Sequence, residues 1–359
     1  KCSIMSENRA EIIDIYRGVV IFDMIVMHLI GTSPEQAVLF AQIFDFAVEG
    51  FIFLSGFMIG WHYFPKYLIS SRETSKRLVM RSVKILLIQY LLIISVSIPF
   101  YSYMKLTSVD EVVSFCVSSF LFLNQVPVIH ILPTFIPLFL LSPLILRILA
   151  GKGESWLMLA SIGIFLLGAH DPYMFSFGEN PIFPVILWQI YFVAGCVLGK
   201  ITNEVDIEID PVRLLCVATI LVGASILMKY GSYFDAIRAM KITYNIYPKK
   251  YPLNIYCVIY GTSMLLFVYA LTAATWRRID IVSKYIEPLA LLGRHSLAVF
   301  VLHVYVVYGV SALVSKGANG LVLFLGIAIM LVTLYALLLF IDKQSKANSL
   351  PGMYRWLFA

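Results

Sequence analysis

Stretches of about 20 apolar residues recur along this chain, and a stretch of that length crosses a bilayer as a helix. Ten can be marked, over residues 12–32, 43–63, 84–102, 129–147, 155–169, 181–199, 212–228, 253–275, 286–310 and 320–341, the fifth being the shortest. Composition removes the alternative of a soluble domain. Of 359 residues 60% are hydrophobic and 13% charged, where soluble domains carry about 25% charge. The expected fold is an all-α polytopic membrane protein with about ten transmembrane helices. A single membrane domain is expected over 1–341, with a short cytoplasmic tail over 342–359. Between the third and fourth segments, Ser108-Val109-Asp110 is suited to cap a short amphipathic helix over 111–123, lying at the interface or re-entering.

Orientation follows from the cations of the short loops. With the amino terminus inside, 19 of the 27 lysines and arginines fall on the cytoplasmic side and 7 outside; Arg294 lies within a segment. Both termini are therefore expected in the cytoplasm. Acidic Glu7, Glu11 and Asp14 precede the first apolar run and no A-x-A site follows it, so that segment is expected to be retained rather than cleaved. The five cysteines are scattered, with no C-x-x-C pair, and read as small apolar side chains rather than as a disulfide framework or metal site. No internal repeat is apparent.

Against this apolar background the ionisable residues stand out, because such groups are costly in a bilayer and are usually functional there. Arg17 and His28 on the first segment have ten residues between them. Eleven helical steps of about 100° return to nearly the same azimuth, so the two share a face about 16 Å apart along the axis. Asp14 lies one turn below Arg17 on the same side. Read alone, an arginine could anchor the helix at the headgroups and a histidine could be satisfied by a neighbour. Together they suit an anion site and a general base. Asp45 and Glu49 follow on one face of the second segment, where either could orient His28. Ser55-Gly56 beside them suits close helix approach. Arg77, Arg81 and Lys84 form a basic stripe into the third segment, read either as a topology signal or as a cradle for a diphosphate or nucleotide. The ninth segment carries Gly293, Arg294, His295, Ser296 and His303, with Ser296 and His303 on one face and Arg294 and His295 two turns into the segment. His62, His130 and His170 sit near segment ends and read as interfacial. The outer loop 229–252 concentrates Lys229, Arg238, Lys241, Lys249 and Lys250 among tyrosines. It could hold an anionic acceptor or rest on headgroups.

These motifs resemble the acyltransferase-three family of membrane O-acyltransferases. They are Asp14, Arg17, Gly18 and His28; the run Phe53-Leu54-Ser55-Gly56-Phe57; Arg77 and Arg81; and Gly293, Ser296 and His303. Further stretches resemble its OpgC-type branch, the periplasmic-glucan succinyltransferases: Ile131-Leu132-Pro133-Thr134-Phe135, Leu141-Ser142-Pro143-Leu144, Trp188-Gln189 through Gly195, and Leu292 through Ser296. The resemblance implies a multi-pass enzyme of the bacterial inner membrane. It would take an acyl group from cytoplasmic acyl-CoA to a hydroxyl of an extracytoplasmic glycan, such as lipopolysaccharide O-antigen or periplasmic glucan. Acetyl-CoA is the leading donor and succinyl the second. His28, Arg17, Glu49 and His303 would be catalytic, and Arg77, Arg81, Lys84, Arg294 and Ser296 would bind the donor. No permanently bound cofactor, metal or nucleic acid is expected. A covalent acyl-enzyme through Ser55 or Ser296 and direct transfer both remain open. A transporter or flippase, with Arg17, Asp23, His28, Asp45 and Arg294 along its path, is the alternative class. A sensor without chemistry is a third.

Overall fold

A computed structural model describes residues 2–30, 45–97, 108–124, 126–174, 183–205, 210–230, 250–276, 280–315 and 320–346. The described chain is all helix and turn. Most of the outer loop 229–252 and most of the tail 342–359 lie outside these residues.

The helices are α1 (Cys2–Ile30), α2 (Ala47–Met58), a π turn (Ile59–Tyr63), α3 (Phe64–Ile69), α4 (Ser71–Ser97), α5 (Val109–Phe120), α6 (Leu132–Ala150), α7 (Glu154–His170), α8 (Val185–Glu204), α9 (Pro211–Tyr230), α10 (Ile255–Trp276), α11 (Asp280–Arg294), α12 (Ser296–Ser315) and α13 (Gly320–Lys346). Local signals set several boundaries. Pro133 sits in the first turn of α6, and the chain leaves that helix at Gly151. Extended Pro184 precedes α8. The amide of Glu111 donates to the Ser108 hydroxyl, the capping contact expected there, at the start of α5.

Among the described residues six helices are long and apolar enough to cross a membrane: Ser71–Val96, Leu132–Ala150, Val185–Glu204, Pro211–Met228, Ile255–Thr275 and Ser296–Val314. The other predicted segments also lie on helix, with differences. α1 is long enough but carries Asp14, Arg17 and Asp23. The second segment is interrupted by the π turn. The fifth is the shorter apolar helix α7. The ninth, read as one helix over 286–310, is broken at His295 into α11 and α12. The tenth continues past residue 341, so Asp342 lies on α13 rather than in a tail. Leu140, Leu144, Leu159, Leu166 and Ile220 are large, apolar and exposed, as suits side chains facing lipid.

The chain divides into two compact units. The first holds residues 1–47, 90–117 and 272–359, and its core is α1 packed on α11 and α12, with α13 against α12. The contact of α1 with α11 is backbone to backbone. A Cβ on Gly18 would lie 2.5 Å from the Leu289 carbonyl carbon, and one on Gly293 would lie 2.7 Å from that of Asp14. Leu289 opposite Gly18 and Gly293 opposite Asp14 make α11 antiparallel to α1.

The second unit holds residues 48–89 and 118–271. Its centre is α2 and the π turn against α8. Gly56 and Gly60 on one side and Gly195 and Gly199 on the other each form a G-x-x-x-G pair. A Cβ on Gly56 would lie 2.8 Å from the Phe192 carbonyl carbon, and one on Gly195 2.7 Å from the Phe57 nitrogen. Small residues let membrane helices approach this closely, which gains dispersion where no hydrophobic force is available. A reciprocal polar clasp joins α7 to α8: Ser161 donates to Gln189 Oε1 at 2.7 Å, and Gln189 Nε2 donates to the Ser161 carbonyl at 2.8 Å.

Candidate functional site

α1 delivers Arg17 and His28 to the first unit's core, and α12 delivers their partners. Arg17 Nη2 donates to Ser296 Oγ at 2.7 Å. Three turns further on, His28 Nδ1 lies 3.2 Å from His303 Nε2. The pairing of 17 with 296 and of 28 with 303 makes α12 parallel to α1. Since α11 is antiparallel to α1, the chain turns back at His295, between Gly293 and Ser296. That break is why Arg294 and His295 do not lie deep in a continuous helix as expected. Both reach Asp342 of α13 instead, Arg294 Nε at 3.9 Å and His295 Nε2 at 3.4 Å.

Two polar levels result. At the first, Arg17 Nη1 is 3.6 Å from Asp14 Oδ1, and Asp14 lies in the fields of Arg17, Arg294 and His295. Asp14, Arg17, Arg294, His295, Ser296 and Asp342 thus form one charged cluster around the helix break. The Ser296 hydroxyl accepts from a guanidinium and has no base at hydrogen-bond distance among the described residues. The second level is His28 and His303, about 10 Å along α12 from Ser296 by helical rise.

The second level has a defined proton arrangement. His303 is fully buried, with Nδ1 at 2.5 Å from the Phe300 carbonyl oxygen. A carbonyl only accepts, so Nδ1 carries the hydrogen and, in the neutral ring, Nε2 accepts. His28 Nδ1 then donates to it, and with His28 neutral its lone pair is on Nε2. His303 thus contacts His28 from α12, a neighbour additional to the Asp45 and Glu49 that the sequence offered. Glu49, 2% exposed, pairs with Lys250 at 3.0 Å. Gly261 leaves the room: a Cβ there would lie 2.7 Å from Glu49 Cγ and 2.5 Å from the Tyr191 hydroxyl.

The predicted basic stripe lies on α4. Arg77 is bound to Glu73 at 3.2 Å on an exposed face. Arg81 donates to the Tyr63 hydroxyl at 3.5 Å and lies over the Phe139 ring at 5.2 Å. Lys84 is half-buried one turn on. Among the described residues no group of histidine, cysteine and carboxylate side chains is placed to hold a metal.

Sequence reasoning missed Asp342, the pairing of Lys250 with Glu49, and the pairing of His303 with His28. Asp342 was hidden by its place at the edge of an apolar run, although an acid between Ile341 and Lys343 was a signal. Lys250 was read as a cation of the outer loop, for an anionic acceptor or for headgroups, and not as the partner of Glu49. The pairing of His303 with His28 depended on the turn at His295, for which Gly293 was the one local sign.

No curated protein and no solved structure matches the chain. The family described as OpgC protein matches residues 9–347. That span runs from the first turns of α1, through Arg17 and His28, to the end of α13, and the chain therefore belongs to the OpgC protein family.

Proposed function

We propose that this protein is a membrane O-acyltransferase that moves an acyl group from cytoplasmic acyl-CoA to a hydroxyl of an extracytoplasmic glycan. Family membership weighs for succinyl over acetyl as the acyl group, and for a periplasmic glucan over O-antigen as acceptor. The observation that carries the reading is the two-level stripe of α1 and α12, with a guanidinium at one level and a tautomer-set imidazole about 16 Å away along α1. An anion and a thioester on one extended arm would meet both.

In this reading His28 Nε2 takes the proton of the acceptor hydroxyl as that oxygen attacks the thioester carbonyl. The tetrahedral intermediate collapses with loss of the CoA thiolate, and the proton carried by His28 passes to the sulfur. His303 holds the donating nitrogen of His28 in place. Arg17, fixed by Asp14 and Ser296, orients the arm. Ser296 is bound to a cation rather than to a base, which favours direct transfer over an acyl-serine. A retained donor on one side and an acceptor on the other are consistent with ten crossings and both termini inside.

The test is transfer by the purified protein in sealed liposomes, with succinyl-CoA or acetyl-CoA and a neutral glucan. The expected result is an ester-linked acyl glucan with stoichiometric release of free CoA. Movement of the glucan or of an anion across the bilayer without ester formation would replace this reading with the transporter.

A further inference from the structure

The π turn Ile59–Tyr63 is the least regular piece of the second unit and one of its most firmly held. Gly60 is pressed on the α8 backbone, where an added Cβ would lie 2.7 Å from the Lys200 nitrogen. A π turn fits an extra residue into the helix and rotates the side chains that follow, and such turns gather at functional sites. Here the rotation collects donors. Lys66 Nζ donates to His62 Nε2 at 2.6 Å and lies 5.9 Å from the centre of the Tyr63 ring. The Tyr63 hydroxyl accepts from Arg81 at 3.5 Å. The charges of Lys66 and Arg81 both bear on His62, and that of Arg81 also bears on Lys84.

Three other cations of this unit are matched by acids, whereas exposed Arg72 and Lys76 on α4 stand in solvent-facing positions outside the cluster. Arg77 has Glu73 at 3.2 Å, Arg213 has Asp210 at 3.6 Å, and Lys200 has Glu154 and Glu204. Lys66 and Arg81 form no ion pair with a carboxylate among the described residues; their partners are His62, Tyr63 and the Phe139 ring. Like charges gathered around one turn repel, and a multiply charged anion relieves that repulsion while accepting several charge-assisted hydrogen bonds.

We infer that His62 and Tyr63 of the π turn, with Lys66 of α3 and Arg81 of α4, bind a phosphate group of a nucleotide. The site is thus centred one helix away from the Arg77 end of the basic stripe. Naming the nucleotide as the acyl-CoA donor rests on the proposed function; the anion site itself does not.

The experiment is calorimetric titration of the full-length protein in nanodiscs of zwitterionic lipid, with CoA and separately with inorganic tripolyphosphate. Lys66→Gln and His62→Gln are compared with Lys76→Gln, an exposed cation of the same charge outside the cluster. Loss of one charge-assisted bond predicts CoA binding weakened by about tenfold or more in Lys66→Gln, with a shallower salt dependence, and within about twofold of wild type in Lys76→Gln. Equal weakening in both lysine variants would reduce the cluster to general surface charge and overturn the site. Undiminished CoA binding in both Lys66→Gln and His62→Gln would also overturn it and leave the donor reading standing. Tripolyphosphate binding that needs Lys66, in a wild-type protein that binds no CoA, would keep the anion site and refute the donor. A Lys66→Gln variant that loses only its retention of anionic lipid, with CoA affinity intact, would assign the site to a headgroup and overturn the nucleotide.

Discussion

The contact that brings Arg17 to Ser296 is set by glycine, and Gly18→Ala tests how much that contact matters. The new methyl would lie 2.5 Å from the Leu289 carbonyl carbon and 3.0 Å from its Cα. Carbon atoms rest at about 3.5–4.0 Å, and backbone cannot swing aside as a side chain can. α1 and α11 must therefore part by about 1 Å. Overpacking of this kind costs about 1–3 kcal/mol. The larger effect is on chemistry. α11 leads directly into α12, so a shift of about 1 Å disturbs the 2.7 Å bond of Arg17 to Ser296 and the 3.2 Å contact of His28 with His303, and misplacement by that much can cost about 100-fold in rate. The assay is glucan acylation measured beside thermal unfolding in detergent, with Gly163→Ala and Gly223→Ala as controls, since a Cβ at either position meets nothing within 4 Å. Transfer should fall about 100-fold for Gly18→Ala, with a small drop in Tm, and stay near wild type for the controls. A Gly18→Ala protein within threefold of wild type would show that the register of α1 on α11 does not position the site.

Three further outcomes follow from the same geometry. Ser296→Ala should slow transfer by about tenfold to 100-fold, the loss of one hydrogen bond to a charged group, without abolishing it; no acyl adduct should appear by intact-protein mass spectrometry, and complete loss together with a wild-type adduct would establish an acyl-serine. His303→Phe should cost about tenfold in rate, one buried hydrogen bond, and His303→Gln, whose side-chain oxygen accepts the same proton, should recover most of it; equal defects would remove the tautomer argument. Lys250→Ala should destabilise by about 3–5 kcal/mol, because it strips the counter-charge from buried Glu49, and Glu49→Gln in the same protein should restore much of the lost Tm.

What could be read in the sequence was whatever one helix decides alone. The shared face of Arg17 and His28 needs only the helical repeat, and the structure has both on one helix facing α12. The short helix near 111–123 needed only its cap and is present as α5. What could not be read was whatever needs a second helix in register. Glu49 and Asp45 were offered to His28 because the first two segments are neighbours in the chain, and no such proximity points to α12. His303 reaches His28 only through the reversal at His295, which costs one residue of helix and leaves hydropathy unbroken. The glycine pairs of α2 and α8 are visible as G-x-x-x-G, but that they face each other is a fact of packing. Arg77 looked equivalent to Arg81 on a helical wheel, and Glu73 one turn away separates them.

The central claim is that His28 removes the acceptor proton, and His28→Asn tests it most directly. The amide side chain can still donate to His303, so the helix contact persists while the basic nitrogen is lost. Transfer should fall by about 10²–10⁴-fold, with CoA affinity and Tm close to wild type. Retention of more than about a tenth of the wild-type rate, against the loss expected of a general base, would contradict the account.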